Sequence, residues 1–329
     1  MQPFISVIIP NHNGGQTIAL CLQAALASDY ENFEVIVVDD NSIDHSTEII
    51  EKFSCKLIKL PEHGGASVAR NTGARHSSGE ILFFIDADCL LQVDTLSVVA
   101  RTMSDTIDEV IVGGTYTPVP YDQGFFSTFQ SVFIYYSDTK NLKSPDYLAS
   151  HALVISAGNF QKSGGFAEDF MPILEDVEYS HRLRRQGFTL QMSAQILVQH
   201  IFLFSLSRSL KNAFRKSSYW FRYSVKNKDI LADSGTASAE LKFNVAAWGL
   251  IVALLVIGHF TQETLLLLPV PVIILADLYL SRHFLAIFRD KIGTAFAVKA
   301  ALYYILLYPM AISAGIASGL LDHLLGSKG

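Results

Sequence analysis

Hydrophobic residues first appear in short blocks. Ile5 to Ile9 is a β-branched run ending at Pro10, the pattern of a buried strand. Apolar positions then recur at helical spacing from Thr17 to Ala27. Glu34 to Val38 predicts a second strand, Thr47 to Phe53 a helix, and Cys55 to Leu60 a third strand. The loop His63-Gly64-Gly65 precedes a helix from about Ala66 to His76, and Glu80 to Ile85 predicts a strand that runs into Asp86-Ala87-Asp88. Strands alternating with helices at this spacing predict an α/β fold, a Rossmann-like and mostly parallel sheet flanked by helices. Such sheets take ligands beyond the carboxyl ends of their strands, where the acidic clusters at 39–40 and 86–88 fall.

From about residue 200 the pattern changes. Residues 208–228 interleave seven Lys and Arg with Phe214, Tyr219, Trp220, Phe221 and Tyr223, and residues 229–240 are polar. Three apolar segments follow, Val245–Ile257, Leu265–Leu280 and Ala300–Leu321. A spanning helix needs about 20 apolar residues. The third segment meets this, and the first two are short. The organisation expected is a catalytic domain over 1–205, a basic amphipathic juxtamembrane segment over 206–243, and an all-α membrane region of two to three helices over 244–329. Asp277 falls inside the second segment, near its inner end. The aromatic stretch from Phe125 to Tyr136 reads as core or as a surface that meets lipid.

Charge sharpens this division. Residues 1–200 carry 12 Lys and Arg against 24 Asp and Glu, whereas 201–329 carry 13 against 7. An acidic first part and a basic, apolar last part suit water and a membrane surface. Basic residues lie before the first apolar segment, and Arg282, Arg289 and Lys291 lie after the second. The positive-inside rule therefore puts the N-terminal domain in the cytoplasm, in a multi-pass protein of the cytoplasmic (inner) membrane. Three spans would leave the end of the chain outside. The basic stretch fits anionic lipid better than nucleic acid, because it adjoins a membrane segment. Cys21, Cys55 and Cys89 are widely spaced and odd in number, and read as reduced thiols. The opening residues read as a strand, with no signal-peptide pattern.

Asp86-Ala87-Asp88 is the central chemical signal. Two carboxylates two residues apart at a strand end can face one polar cavity, and a hard divalent cation takes one or two carboxylates together with phosphate oxygens. Mn²⁺ or Mg²⁺ there would neutralise a departing diphosphate. Glu175, Asp176 and Glu178 crowd three carboxylates into four residues. Like charge at that density raises one pKa toward the working range of a general base. No GxGxxG follows the first strand and no Walker A sequence occurs, which disfavours dinucleotide-binding dehydrogenases and P-loop NTPases.

These pieces resemble, in order, the family 2 glycosyltransferases of the GT-A fold. They are Ser6 to Asn13 (SVIIPNHN), Val37 to Ser42 (VVDDNS), Gly65 to Gly73 (GASVARNTG), Phe84 to Asp88 (FIDAD), Ala157 to Phe160 (AGNF) and Leu174 to Glu178 (LEDVE). The resemblance implies that Pro10 and Asn13 shape the first donor loop. Asp39 would accept a hydrogen bond from the nucleotide base, with Asp40 in support. Arg70 and Asn71 would lie near the donor phosphates or sugar. Asp86 would hold ribose or the donor sugar, Asp88 would ligate the metal, and His200 would approach the metal or the diphosphate. Gly158 and Asn159 would line the acceptor side. Asp176 would be the general base, with Glu175 positioning it or the acceptor.

The expected activity is an inverting, metal-dependent hexosyl transfer from a nucleotide-sugar to a hydroxyl of a lipid-linked or surface-glycan acceptor, in cell-envelope glycan synthesis. Two alternatives stand beside it. One is transfer to a polyprenyl phosphate, which is already anionic and needs no base. The other is a non-catalytic membrane scaffold that binds nucleotide-sugars.

Overall fold

Eight strands form one mixed sheet in the order β3-β2-β1-β4-β7-β6-β8-β5. The computed structural model describes residues 2–105 and 109–325, so the last four positions of the expected membrane region lie outside it. The strands are β1 (Ile5–Asn11), β2 (Phe33–Asp39), β3 (Lys56–Lys59), β4 (Ile81–Ile85), β5 (Cys89–Leu91), β6 (Val110–Tyr116), β7 (Ala152–Ser156) and β8 (Thr189–His200). Interleaved with them are α1 (Ile18–Leu26), α2 (Ser46–Ile50), α3 (Ala66–Arg75), α4 (Thr95–Ser104), α5 (Phe125–Thr139), α6 (Ala157–Ser163) and α7 (Glu175–Arg185). After β8 the described chain is helical: α8 (Leu206–Asn227), α9 (Ala239–Thr261), a 3-10 turn (Thr264–Leu267), α10 (Pro269–Leu280), α11 (Arg282–Lys291), α12 (Thr294–Leu306) and α13 (Tyr308–Leu324).

The chain divides into two units. One comprises residues 1–123 and 137–202, the other 124–136 and 203–329. In the first, β1 and β4 are buried almost end to end, because helices cover both faces of a parallel region. One core cluster gathers Ile8, Phe84, Leu153, Phe160, Phe166 and Tyr179. Gly73 lets α3 lie against the sheet: a Cβ there would sit 2.4 Å from Ile8 Cγ2.

Strand direction decides where the site forms. β1 pairs in parallel with β2 and β4, β2 with β3, and β6 with β8. β7 runs antiparallel between β4 and β6, so β6 points the same way as β4. Six strands thus end on one edge, which carries Asn11, Asp39, Asp86, Tyr116 and His200. β5 starts from that edge, with Cys89 opposite His200.

In the second unit, α5 presents an aromatic face. The Phe129 ring lies 5.9 Å from Phe284, 5.6 Å from Phe288, 4.8 Å from Tyr303 and 5.2 Å from Tyr308, centroid to centroid. The stretch 125–136 is therefore core of the helical unit. Among the described residues, two runs are long and apolar enough to cross a membrane: Ala239–Thr261, mean hydropathy 2.0, and Thr294–Leu324, mean hydropathy 1.6. The pair Thr264–Leu280 and Arg282–Lys291 qualifies together but bends by 63°. The residues expected as a connection, Arg282 to Lys291, are thus a helix, amphipathic and seated on Phe284 and Phe288.

Candidate active site

Arg70 organises the acidic edge. It projects from α3 with 4% of its side chain exposed, donating from Nη2 to Asp86 Oδ1 and from Nη1 to Glu175 Oε1, both at 2.8 Å. Burial alone would lower its pKa, and the two carboxylates more than reverse that. Burial pushes the Asp86 carboxyl up, but Arg70, His151 and His200 outweigh it and hold Asp86 below its ordinary value. Glu175 opens α7, and Leu174 before it takes a left-handed φ of 72°. A leucine there is strained, which fits a segment fixed by its surroundings. Asp176 Oδ2 receives the Ser150 N–H at 3.4 Å, and Oδ1 takes the N–H of Val177.

Asp88 stands on the other side of the strand end, its side chain 41% exposed. His200 Nε2 lies 3.4 Å from Asp88 Oδ1. The buried His200 Nδ1 has no hydrogen-bond partner, and its ring stacks on Phe202 at 3.9 Å. Tyr116 meets both histidines of this edge, stacked on His151 at 4.0 Å and edge-on to His200 at 4.8 Å. Asp88, Cys89 and His200 could share one ion. Burial, then Asp88 and Asp86, push the Cys89 thiol up, so it stays protonated and leaves the carboxylate and imidazole as donors. An oxygen and a nitrogen that still has room for phosphate oxygens fits Mn²⁺ or Mg²⁺.

The loops after β1 and β2 lock together. Asp39 accepts from Asn11 Nδ2 at 2.8 Å, from the Ser42 hydroxyl at 2.6 Å and from Ser42 N–H at 3.0 Å. That leaves one lone pair on Oδ2. Asp40 accepts from the N–H groups of Gly64 and Gly65 and sits 2.9 Å from His63 Nδ1, closing the glycine loop. Asn13 accepts from Ile43 N–H and donates its own N–H to Ser42, at a φ of 52°. Asp44 takes Gly15 N–H at 2.9 Å and Ser46 N–H at 3.0 Å.

Residues 6–156 match the model for Glycosyl transferase family 2. The chain carries a family 2 glycosyltransferase domain. One relative is the glycosyltransferase GlyG of Streptococcus pneumoniae serotype 4, 28% identical over 131 residues, covering 38% of this chain and 44% of that one. Another is the UDP-Glc:alpha-D-GlcNAc-diphosphoundecaprenol beta-1,3-glucosyltransferase WfgD of Escherichia coli, 36% identical over 87 residues, covering 26% of this chain and 34% of that one. The chain thus spans less than half the length of either relative. Among solved structures, mannosyltransferase PcManGT from Pyrobaculum calidifontis, in complex with GDP-Man and Mn²⁺, superposes with a TM-score of 0.60 at 17% identity. The overlap covers 100% of this chain and 89% of that one, a likeness of fold with the GT-A neighbours.

The edge collects Asp39, Asp40, Arg70, Asp86 and Asp88 from the matched residues, and Glu175, Asp176 and His200 from the chain beyond them. Pro10 belongs to β1, one residue before Asn11, and Asn13 follows in the loop. Asn71 is placed otherwise than expected. Its amide is spent on Phe166 O and Glu168 and its carbonyl on Phe166 N–H, pinning the 166–168 loop. Gly158 and Asn159 require a correction. Because β7 is antiparallel to β4, Ala152 lies by Ile85 and Ser156 by Ile81. Helix α6 therefore starts at the far edge, where Ala157 N–H bonds Glu80 O. The residues that β7 brings to the site edge are Ser150 and His151. Tyr116, His151 and Asp44 carry no motif and were not singled out from the sequence.

Proposed function

We propose that this chain is an inverting glycosyltransferase that moves a sugar from a nucleotide-sugar donor to a hydroxyl of a lipid-linked or surface-glycan acceptor at the cytoplasmic membrane face. The observation that carries the reading is the pairing of Asp88 with His200 on the same sheet edge as the Arg70-bridged carboxylates Asp86 and Glu175.

Asp39 takes a base N–H on its remaining Oδ2 lone pair, while Asp40 and Asn13 fix the two loops around it. Arg70 holds Asp86 ionised and fixed in orientation, so Asp86 receives ribose or sugar hydroxyls. Asp88 and His200 would hold Mn²⁺ or Mg²⁺, which would supply neutralisation of charge on the diphosphate. The PcManGT neighbour, solved with GDP-Man and Mn²⁺, is consistent with that choice. Asp176 takes the proton of the attacking hydroxyl, and Glu175, anchored by Arg70, positions α7 for it. One displacement opposite the leaving nucleotide inverts the anomeric carbon through an oxocarbenium-like transition state. WfgD, whose acceptor by name is a diphosphoundecaprenol-linked sugar, supports a lipid-linked acceptor, as do the apolar helices.

The test is transfer by the full chain in detergent or nanodiscs, across UDP-, GDP- and dTDP-sugars, with Asp176→Asn as the variant. The general-base step is worth about 10²–10⁴ in rate, and Asp176→Asn is expected to lose that much with a hydroxyl acceptor. Wild-type turnover by the variant on polyprenyl phosphate would move the acceptor to a phosphate. Donor binding without transfer to any acceptor would leave a scaffold.

A further inference from the structure

We propose that only the hairpin of α9, the 3-10 turn and α10 enters the hydrocarbon, and that α11, α12 and α13 stay on the side of the membrane that holds the glycosyltransferase domain. This reverses the expectation from length and hydropathy, which favour Thr294–Leu324 as a span.

The first argument is the contact between α8 and α13. A Cβ on Gly315 would lie 2.1 Å from Ser217 Oγ and 2.3 Å from the carbonyl oxygen of Phe214. A Cβ on Gly319 would lie 2.6 Å from Ser218 O, and Ser217 Oγ donates to Ile312 O at 3.2 Å. Glycines four apart let two helix backbones touch. The middle of α13 is therefore level with residues 214–218 of α8. That turn carries Arg215 and Lys216, both exposed, and Arg208 and Lys211 are exposed one to two turns earlier. A helix spanning beside α8 would draw these cations into lipid, where an unpaired charge is costly. The apolar sequence of α13 offers no compensating anion, since its one acidic residue, Asp322, lies in the last turn.

The second argument is chain order. Helix α5 is the stretch between β6 and β7, so it lies on the same side of a bilayer as they do. It buries Ser127, Gln130 and Ser131, a face unsuited to lipid. The Phe129 contacts bind α11, α12 and the start of α13 to it.

α12 and α13 also expose apolar side chains, Leu302, Leu306 and Leu321 among them, but the hairpin differs in having no Lys or Arg between Asn244 and Leu280. Leu250, Leu255, Ile257, Phe260, Val272 and Leu275 are exposed along it. No Lys or Arg occurs between Lys242 and Arg282, which flank its two ends. Positive flanks at both ends put both on the cytoplasmic side. Asn244 Nδ2 donates to Asp277 Oδ2 at 2.8 Å and to Tyr304 O at 3.2 Å, tying the two helices together at their base and to α12. From Asn244 to Thr261 the helix rises about 26 Å at 1.5 Å per residue. That approaches the roughly 30 Å hydrocarbon core.

The test reads sidedness and needs no transfer activity. Cysteine is introduced as Glu31→Cys in the catalytic unit and, separately, as His323→Cys at the end of α13, both in a Cys55→Ser chain. Membrane-impermeant maleimide is applied to spheroplasts and to inverted vesicles. Labelling of both cysteines from the same side is expected, in inverted vesicles only. Labelling of His323→Cys in spheroplasts with Glu31→Cys protected would overturn the proposal, as would full release of the chain by alkaline carbonate. Both sites reacting in spheroplasts would keep the hairpin and reverse only the cytoplasmic orientation.

Discussion

Arg70 Nη1 lies 2.8 Å from Glu175 Oε1, a contact across 105 positions of the chain. It fastens the start of α7 to α3 and, through Nη2, to the end of β4. The acidic pair Glu175-Asp176 therefore reaches the same edge as Asp86 through one buried cation.

Removing that cation has a large expected cost. Arg70→Met leaves Asp86 and Glu175 without the cation that bridges them. Breaking a buried pair from one side costs about 3–5 kcal/mol, and partial exposure of Asp86 favours the lower end. Arg70→Lys keeps the charge but cannot reach both carboxylates with a planar fork, so an intermediate loss is expected. Chemical denaturation of the two variants, followed by a probe in the first unit, checks the order wild type, Lys, Met.

Asp44 gives stability a pH limb. Burial pushes its carboxyl up, but the Ser46 hydroxyl and the N–H groups of Gly15 and Ser46 outweigh this and hold it below its ordinary value. A depressed acid contributes stability above the unfolded pKa of about 3.9 and loses it as pH falls through the lower folded value. Wild type should therefore exceed Asp44→Asn in melting temperature above about pH 4, with the gap closing as pH drops further. Melting curves between neutral and acid pH decide this. A constant gap across the range would remove Asp44 from the acid limb.

Asp88 and His200 make the proposed cation site testable without turnover. At a ligand concentration 100 times its Kd, binding stabilises a protein by about 2.7 kcal/mol. A nucleoside diphosphate with Mn²⁺ should raise the melting temperature of wild type, and EDTA should remove most of the gain. Asp88→Ala should lose it, and His200→Ala should retain part. Because Asp88 is 41% exposed, its replacement should leave the unliganded melting temperature nearly unchanged. Metal-dependent stabilisation that survives in Asp88→Ala would detach the cation from this pair.

The strands and acidic clusters of the first unit were legible because buried parallel strands are continuous apolar runs. β1 and β2 extend the blocks read as Ile5–Ile9 and Glu34–Val38 by two residues each, and β4 is one residue shorter than Glu80–Ile85. Strand direction was not legible. Ala152–Ser156 is equally apolar read in either sense, so nothing local says that β7 runs against β4 and carries Gly158 and Asn159 away from the carboxylates. Asn71 follows Arg70 on α3 but points at the 166–168 loop, since neighbours on a helix diverge by about 100°. His151 and Tyr116 escaped notice because their meaning lies in a ring contact between two strands. The segment read as basic and amphipathic contains α8, but α13 as the partner of that helix follows from glycines 315 and 319, which look like ordinary small residues in an apolar segment.

The contrast between His151 and Asn159 turns that correction into an experiment. His151 is stacked on Tyr116, lies 3.8 Å from Asp138 Oδ2, and helps to hold the Asp86 carboxyl ionised. Thr115 donates to the same Asp138 oxygen at 2.8 Å, so the carboxylate beside the imidazole is itself fixed. His151→Ala removes a wall of the edge beside Asp86, and misplacement on the scale of 1 Å can cost about 10²-fold in rate. Asn159→Ala alters a half-exposed side chain at the far edge, where surface changes stay within about 0.5 kcal/mol. Steady-state kinetics should therefore show a fall in kcat for His151→Ala and near-wild-type values for Asn159→Ala. His151→Gln, closer in size and polarity, should recover part of the loss. A deep defect in Asn159→Ala with an unchanged melting temperature would return that residue to the acceptor side.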